Sequence, residues 1–199
     1  ISGDLVSQYD PQKRRGFHLT LKSHPGVTAS QANWRHLQFG IDDDKPGAWR
    51  DCGRPGRALF AFAMATHEGA LYAGTCEPGA GDTGRVYRYD GGTSWVDCGR
   101  LPDTEAVGGL VVFQGRLFAS SLYKPAGFFR YEGGRTWTRL PDAMGPDVQT
   151  GASTPKRVVS LTVHDGYLYA SSYDGGRVYR FDGKAWTDCG QVGDNTQTY

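Results

Sequence analysis

Apolar side chains along the chain fall in short runs that alternate with polar ones, each closed by Gly, Pro, Asp or Asn. Such runs, rich in aromatic and β-branched residues and bounded by turn formers, read as short strands. Between residues 53 and 98 the pattern predicts four of them: 59–66, closed by His67-Glu68-Gly69, then 71–75, 86–89 and 95–98.

The same wording then returns at a fixed period. Trp49-Arg50-Asp51-Cys52-Gly53 recurs as Trp95-Val96-Asp97-Cys98-Gly99, as Trp137-Thr138-Arg139-Leu140-Pro141 and as Trp186-Thr187-Asp188-Cys189-Gly190, at tryptophan spacings of 46, 42 and 49. Gly69-Ala70-Leu71-Tyr72-Ala73 is echoed by Gly115-Arg116-Leu117-Phe118-Ala119 and Gly166-Tyr167-Leu168-Tyr169-Ala170. Val86-Tyr87-Arg88-Tyr89-Asp90 is echoed by Phe128-Phe129-Arg130-Tyr131-Glu132 and Val178-Tyr179-Arg180-Phe181-Asp182. A period of about 40–50 residues holding four strands fits one blade of a β-propeller, so the fold class expected is all-β, a propeller of four-stranded antiparallel blades. The pairs Tyr87 and Tyr89, Phe129 and Tyr131, and Tyr179 and Phe181 are placed to fill the gaps between blades.

Residues 53–98, 99–140 and 141–189 then form complete blades. Residues 1–16 are a lead-in, and residues 17–52 form a partial first blade with strands at 17–21, 34–40 and 49–52. Residues 190–199 begin a further first strand. Either that strand completes the partial blade and closes a four-bladed ring, or the chain is a fragment of a larger propeller. The fragment is favoured, because residues 195–199 are polar and stop before the apolar half of the strand. The opening on Ile1 rather than Met likewise reads as a processed or trimmed product. An open arc would expose two blade faces and invite self-association.

Composition narrows the partners. Lys and Arg number 22 against 21 Asp and Glu, a net charge of +1, which gives no electrostatic reason to expect nucleic acid or an acidic membrane. Glycine, 29 of 199 residues, is about twice its usual share, and aromatics reach 13%, the balance of a turn-rich chain with bulk to pack. No apolar run approaches the roughly 18 residues of a membrane span.

Asp90-Gly91-Gly92-Thr93-Ser94-Trp95 and Glu132-Gly133-Gly134-Arg135-Thr136-Trp137 lie between third and fourth strands, as does the shorter Asp182-Gly183-Lys184-Ala185-Trp186. Acid, any, Gly, any, Ser or Thr, Trp resembles the Asp-box of sialidase-type repeats, which sits at this same turn. The longer pattern also resembles bacterial propeller repeats, a resemblance that implies no activity; the setting expected is extracellular, though the thiols leave the compartment open. Sialidase chemistry gathers three arginines, a tyrosine–glutamate pair and an acid at the mouth of the ring. Arg88, Arg130 and Arg180 are repeat-equivalent residues of separate blades and do not converge, and a stacking or ion-pairing role fits them better. No acidic pair is set off by spacing for glycoside hydrolysis. No catalytic residue is therefore assigned.

Cys52, Cys98 and Cys189 hold one place in different blades, too far apart to bridge, and Cys76 reaches at best Cys98. They read as small buried apolar side chains, and with no Cys-x-x-Cys and with His67 and His164 in separate blades, no metal or cofactor is expected. The loops that break the repeat lead into first strands (54–57, 101–105, 142–156, 193–195) or join second to third strands (76–85, 122–126, 173–175). They place Arg57, Glu105, Tyr123, Lys124, Lys156, Arg157, Tyr173 and Asp174 around one rim, suited to a carbohydrate or a protein ligand. The function expected is a non-catalytic recognition module. A sialidase-like glycoside hydrolase and an assembly subunit joined through blade faces stay open beside it.

Overall fold

The computed structural model describes residues 50–197 in full and, before them, the backbone of three strands. Among the described residues the chain is all β, with no helix and hence none long and apolar enough to cross a membrane. Two compact units divide between Arg50 and Asp51.

In the first unit, β1 (Gly3–Asp10), β2 (Arg15–Ser23) and β3 (Arg35–Asp43) form an antiparallel sheet in chain order. Strand β2 covers the run expected at 17–21 and β3 covers 35–40 of the run expected at 34–40, Trp34 lying outside the described residues. Strand β1 occupies the stretch read as a lead-in: Leu5, Val6 and Tyr9 suit a strand, but they stand outside the tryptophan period and carry none of its markers. The strand expected at 49–52 does not form over residues 50–52, which are irregular and exposed. There Asp51 turns back to accept the Gly53 N–H at 2.8 Å. Trp49, Thr198 and Tyr199 lie outside the described residues.

The second unit holds three four-stranded antiparallel sheets, each ordered as the chain runs. The first is β4 (Phe60–His67), β5 (Ala70–Cys76), β6 (Gly84–Gly91) and β7 (Ser94–Arg100). The second is β8 (Val107–Phe113), β9 (Arg116–Ser121), β10 (Phe128–Gly133) and β11 (Thr136–Leu140). A two-stranded hairpin follows, β12 (Ala143–Pro146) and β13 (Ser153–Lys156), within the stretch expected to be a long loop. The third sheet is β14 (Val158–His164), β15 (Tyr167–Ser172), β16 (Arg177–Phe181) and β17 (Trp186–Gln191). First and second strands meet in two-residue turns, Glu68-Gly69, Gln114-Gly115 and Asp165-Gly166, with positive φ at both positions (49° and 76°, 49° and 73°, 47° and 76°). This backbone matches the twist of the flanking strands, and glycine at the second position adopts it without strain. Among the described residues no ladder joins the last sheet to the first.

The middle sheet is buried on both faces. Tyr72, Val86 and Leu101 of the first sheet meet Leu110, Leu117, Phe129 and Trp137 of the second. On its other side, Phe113, Phe118 and Phe128 meet Leu168, Tyr179 and Phe181 of the third. Two of the three aromatic pairs thus face the preceding sheet, Phe129 with Tyr131 in one interface and Tyr179 with Phe181 in the other, whereas Tyr87 and Tyr89 bond Glu77 and the Gly92 carbonyl through their hydroxyls.

The tryptophans tie each sheet to the chain that leads into it. Trp95 Nε1–H donates to the Cys52 carbonyl at 2.8 Å, Trp137 to the Cys98 carbonyl at 2.8 Å and Trp186 to the Pro141 carbonyl at 3.1 Å. Each indole reaches back to the preceding copy of its own motif, which is why the motif keeps the period of the sheets. Asp97 and Asp188 repeat the bond seen at Asp51, accepting Gly99 N–H at 2.7 Å and Gly190 N–H at 2.9 Å.

The third-strand arginines work locally. Arg88 pairs with Asp90 at 3.6 Å, Arg130 with Glu132 at 2.7 Å, and the Arg180 guanidinium lies 4.4 Å from the centre of the Tyr167 ring. In the Asp-box-like turns only Asp182 caps the hairpin, accepting the Lys184 and Ala185 N–H groups at 2.7 and 2.8 Å. In the other two, tyrosine hydroxyls close the turn, Tyr89 on the Gly92 carbonyl and Tyr131 on the Gly134 carbonyl. The cysteines are free thiols, but only Cys98 is buried as expected; Cys76 is half-buried, and Cys52 and Cys189 are exposed. Cys98 is covered by the second sheet, whereas no sheet among the described residues covers Cys189.

Candidate functional site

Loops of the second and third sheets enclose a cleft of about 600 Å³, within the range of small-ligand sites. Its walls come from residues 124–126, the end of β11, the β12–β13 hairpin, residues 173–175 and residues 196–197. Of the rim residues expected from sequence, Lys124, Lys156, Arg157, Tyr173 and Asp174 line it. Tyr123 stands beside it on the loop of Lys124 but is 43% exposed and outside the lining. Arg57 and Glu105 lie elsewhere, in the loops leading into β4 and β8, exposed at their side chains. Their backbones are structural: the Arg57 N–H donates to Glu77 at 3.0 Å, and the Glu105 carbonyl accepts from Thr83 at 2.8 Å.

Asp174 and Arg157 form the fixed centre of the cleft. The guanidinium donates to both Asp174 oxygens, at 2.6 Å from Nη2 and 2.9 Å from Nε, and the Arg157 N–H adds a bond of 3.1 Å. Burial pushes the Asp174 carboxyl up, but these Arg157 bonds and charge, with Lys124 nearby, outweigh it and hold the group below the usual carboxylate range. The guanidinium also lies over Tyr173, 4.3 Å from the ring centre. Beneath them the fully buried Ser172 hydroxyl donates to the Asp174 carbonyl at 2.7 Å and accepts the Asp174 N–H at 2.9 Å. The repeat-equivalent Ser121 bonds the Pro125 carbonyl in its own loop at 3.0 Å, whereas Thr75 bonds the carbonyl of Arg85, its register partner on β6, at 3.2 Å.

Sequence reading passed over Arg139 and Asp142. In the first and third sheets the arginine that opens the third strand pairs with the acid of the tryptophan motif, Arg85 with Asp97 at 2.9 Å and Arg177 with Asp188 at 2.8 Å. The second sheet has Gly127 and Arg139 in those places. Freed of an acidic strand partner, Arg139 turns to the Ala126 carbonyl at 2.7 Å and to Asp142 at 3.0 Å, in the wall of the cleft. The exchange of Asp for Arg within an otherwise regular motif was the signal available in the sequence.

The hairpin wall is seated on Tyr179. A Cβ at Gly145 would fall 3.1 Å from Tyr179 Cζ and nearer still to its hydroxyl, and Tyr179 is fully buried with no room to retreat. Gly145→Ala is therefore expected to destabilise the protein by about 1–3 kcal/mol, read from urea unfolding. An unchanged midpoint would mean that the hairpin rides loosely on the third sheet.

No protein-family model matches the chain, so the likeness of its turns to Asp-boxes rests on their residues alone. None of the curated proteins matches it either. Among solved structures it is similar to the extracellular domain of a hybrid two-component system from B. thetaiotaomicron, with 12% identity and a TM-score of 0.39. That match covers 100% of this chain and 34% of the other, so the chain spans about a third of the length of the structure it matches.

Proposed function

We propose that the chain is a non-catalytic recognition module of β-propeller architecture, and that the cleft beside Tyr173 takes a carbohydrate. The propeller arrangement is supported by β8 lying beside both β4 and β14, the first strands of its neighbours, and by the Trp137 and Trp186 indole bonds that reach back to the end of the preceding sheet. The observation that carries the binding role is the convergence on one cleft of loops that depart from the repeat, with Lys124, Lys156, Arg157, Tyr173 and Asp174 among them. Repeat-conforming residues build the sheets, and irregular ones build the walls of this cleft. A planar Tyr173 held by Arg157, with charged groups around it, suits a ring-shaped ligand rich in hydroxyls.

A glycan array probed with the intact chain tests this reading. Binding is expected for the unaltered protein, a loss of about tenfold or more for Tyr173→Ala, and no change for Tyr123→Ala, which lies outside the cleft. A blank array, or binding that survives Tyr173→Ala, sinks the assignment.

A further inference from the structure

The charges lining the cleft do not balance internally. Four cations, Lys124, Arg139, Lys156 and Arg157, face three carboxylates, Asp142, Asp147 and Asp174, leaving one net positive charge. Two of the carboxylates are taken by arginines, Asp142 by Arg139 at 3.0 Å and Asp174 by Arg157 at 2.6 Å. Asp147 is spent on its own loop, accepting the Gln149 N–H at 3.1 Å, the Thr150 N–H at 2.9 Å and the Thr150 hydroxyl at 3.0 Å. Among the described residues no carboxylate lies within ion-pair distance of Lys156 or Lys124, and the charges of Asp147 and Asp174 reach them only from farther off.

Lys156 is the telling group. It is 4% exposed, and its Nζ donates to one neutral partner, the Thr154 hydroxyl, at 2.9 Å. Its stem lies where Gly145 leaves space, with Cε 3.5 Å from the position a Cβ would take. An ammonium with one neutral hydrogen-bond partner keeps donors to spare, and an anion seated on it in the cleft gains a charge-assisted bond.

We infer that the ligand of this cleft is an acidic saccharide whose negative group, a carboxylate or a sulfate ester, seats on Lys156 with Lys124 at the mouth. This rests on the reading of the cleft as a carbohydrate site and names the class of carbohydrate. Tyr173 and its arginine supply the surface for the sugar ring, and Lys156 distinguishes an acidic ring from a neutral one of the same shape. The bond to a buried cation contributes more than a rim contact, so most of the preference is carried by Lys156.

Calorimetric titration of the intact chain with trigalacturonate, its neutral methyl ester and a sulfated galactan trisaccharide tests the inference. One of the two acidic probes is expected to bind at least about tenfold more tightly than the ester, and which one does so identifies the anion. Lys156→Met should abolish that preference while leaving ester binding in place, and Lys156→Arg should restore part of it. Lys124→Ala, an exposed change that does not threaten folding, should weaken the acidic probe about threefold, and added salt should weaken it further. Equal affinity for acid and ester, unaltered by Lys156→Met, overturns the inference while leaving a neutral-sugar site standing. Absence of binding by all three probes also overturns it, and the array with Tyr173→Ala then decides separately whether the cleft recognises carbohydrate at all.

Discussion

Trp137→Ala is expected to lower the free energy of unfolding by about 3–5 kcal/mol, more than the same change at Trp95 or Trp186. Trp137 is 9% exposed, belongs to the core between the first and second sheets, and meets Tyr131 at a tilt of 38° with ring centres 4.9 Å apart. Its removal empties space that no neighbour can fill and strips the Cys98 carbonyl of its donor in a buried place. Trp95 and Trp186 make the same reach, but their bonds lie at the exposed edge, where water replaces the lost indole. Trp137→Phe separates the two contributions. It keeps most of the packing and loses the N–H, so a cost of about 1–3 kcal/mol is expected from the orphaned carbonyl alone. Urea titrations of the alanine and phenylalanine variants give both numbers. Equal losses at the three tryptophans would mean that burial between sheets contributes little and that the motif serves each sheet separately.

How far the fold was legible follows from the same residues. A strand whose wording repeats announces itself several times over, so the four strands read at 59–98 lie close to β4–β7, and the repeated markers fall on the second, third and fourth strands of the other two sheets. Strand β1 and the β12–β13 hairpin occur once each, without a second copy to mark them, and were read as a lead-in and a loop. The exposure of Cys189 against the burial of Cys98 was invisible for a different reason: identical wording cannot reveal whether a further sheet lies on top. For the cleft, departure from the repeat was a sound guide to which loops matter but a poor guide to which of them meet. Lys124, Lys156, Arg157, Tyr173 and Asp174 come together because the 124–126 loop of the second sheet faces the hairpin ahead of the third. Arg57 and Glu105 sit in equally irregular loops that face elsewhere, and only the packing of whole sheets distinguishes the two cases.

Gly99→Ala should rank with the tryptophan change in its cost, at about 2–5 kcal/mol, and Gly190→Ala shows why. Both glycines follow Asp-Cys and adopt nearly the same backbone, with φ of 98° and 102°, so alanine is strained by about 1–2 kcal/mol at either place. Their surroundings differ. A Cβ at Gly99 would fall 2.9 Å from the Arg135 carbonyl carbon and nearer to its oxygen, whereas nothing lies within 4 Å of one at Gly190. The Arg135 backbone is poorly placed to yield. It sits in the turn between β10 and β11, next but one to the stapled Trp137, and its side chain donates to Asp97 at 2.6 Å. Asp97 in turn holds the Gly99 N–H at 2.7 Å and the Arg85 guanidinium at 2.9 Å, so a shift at this contact disturbs bonds in both sheets. The gap between the two variants, measured by urea unfolding of each, is therefore the cost of unseating one sheet from the next, with the strain of the turn subtracted. If the two cost the same, glycine is required here by the backbone alone and the sheets do not rely on this contact.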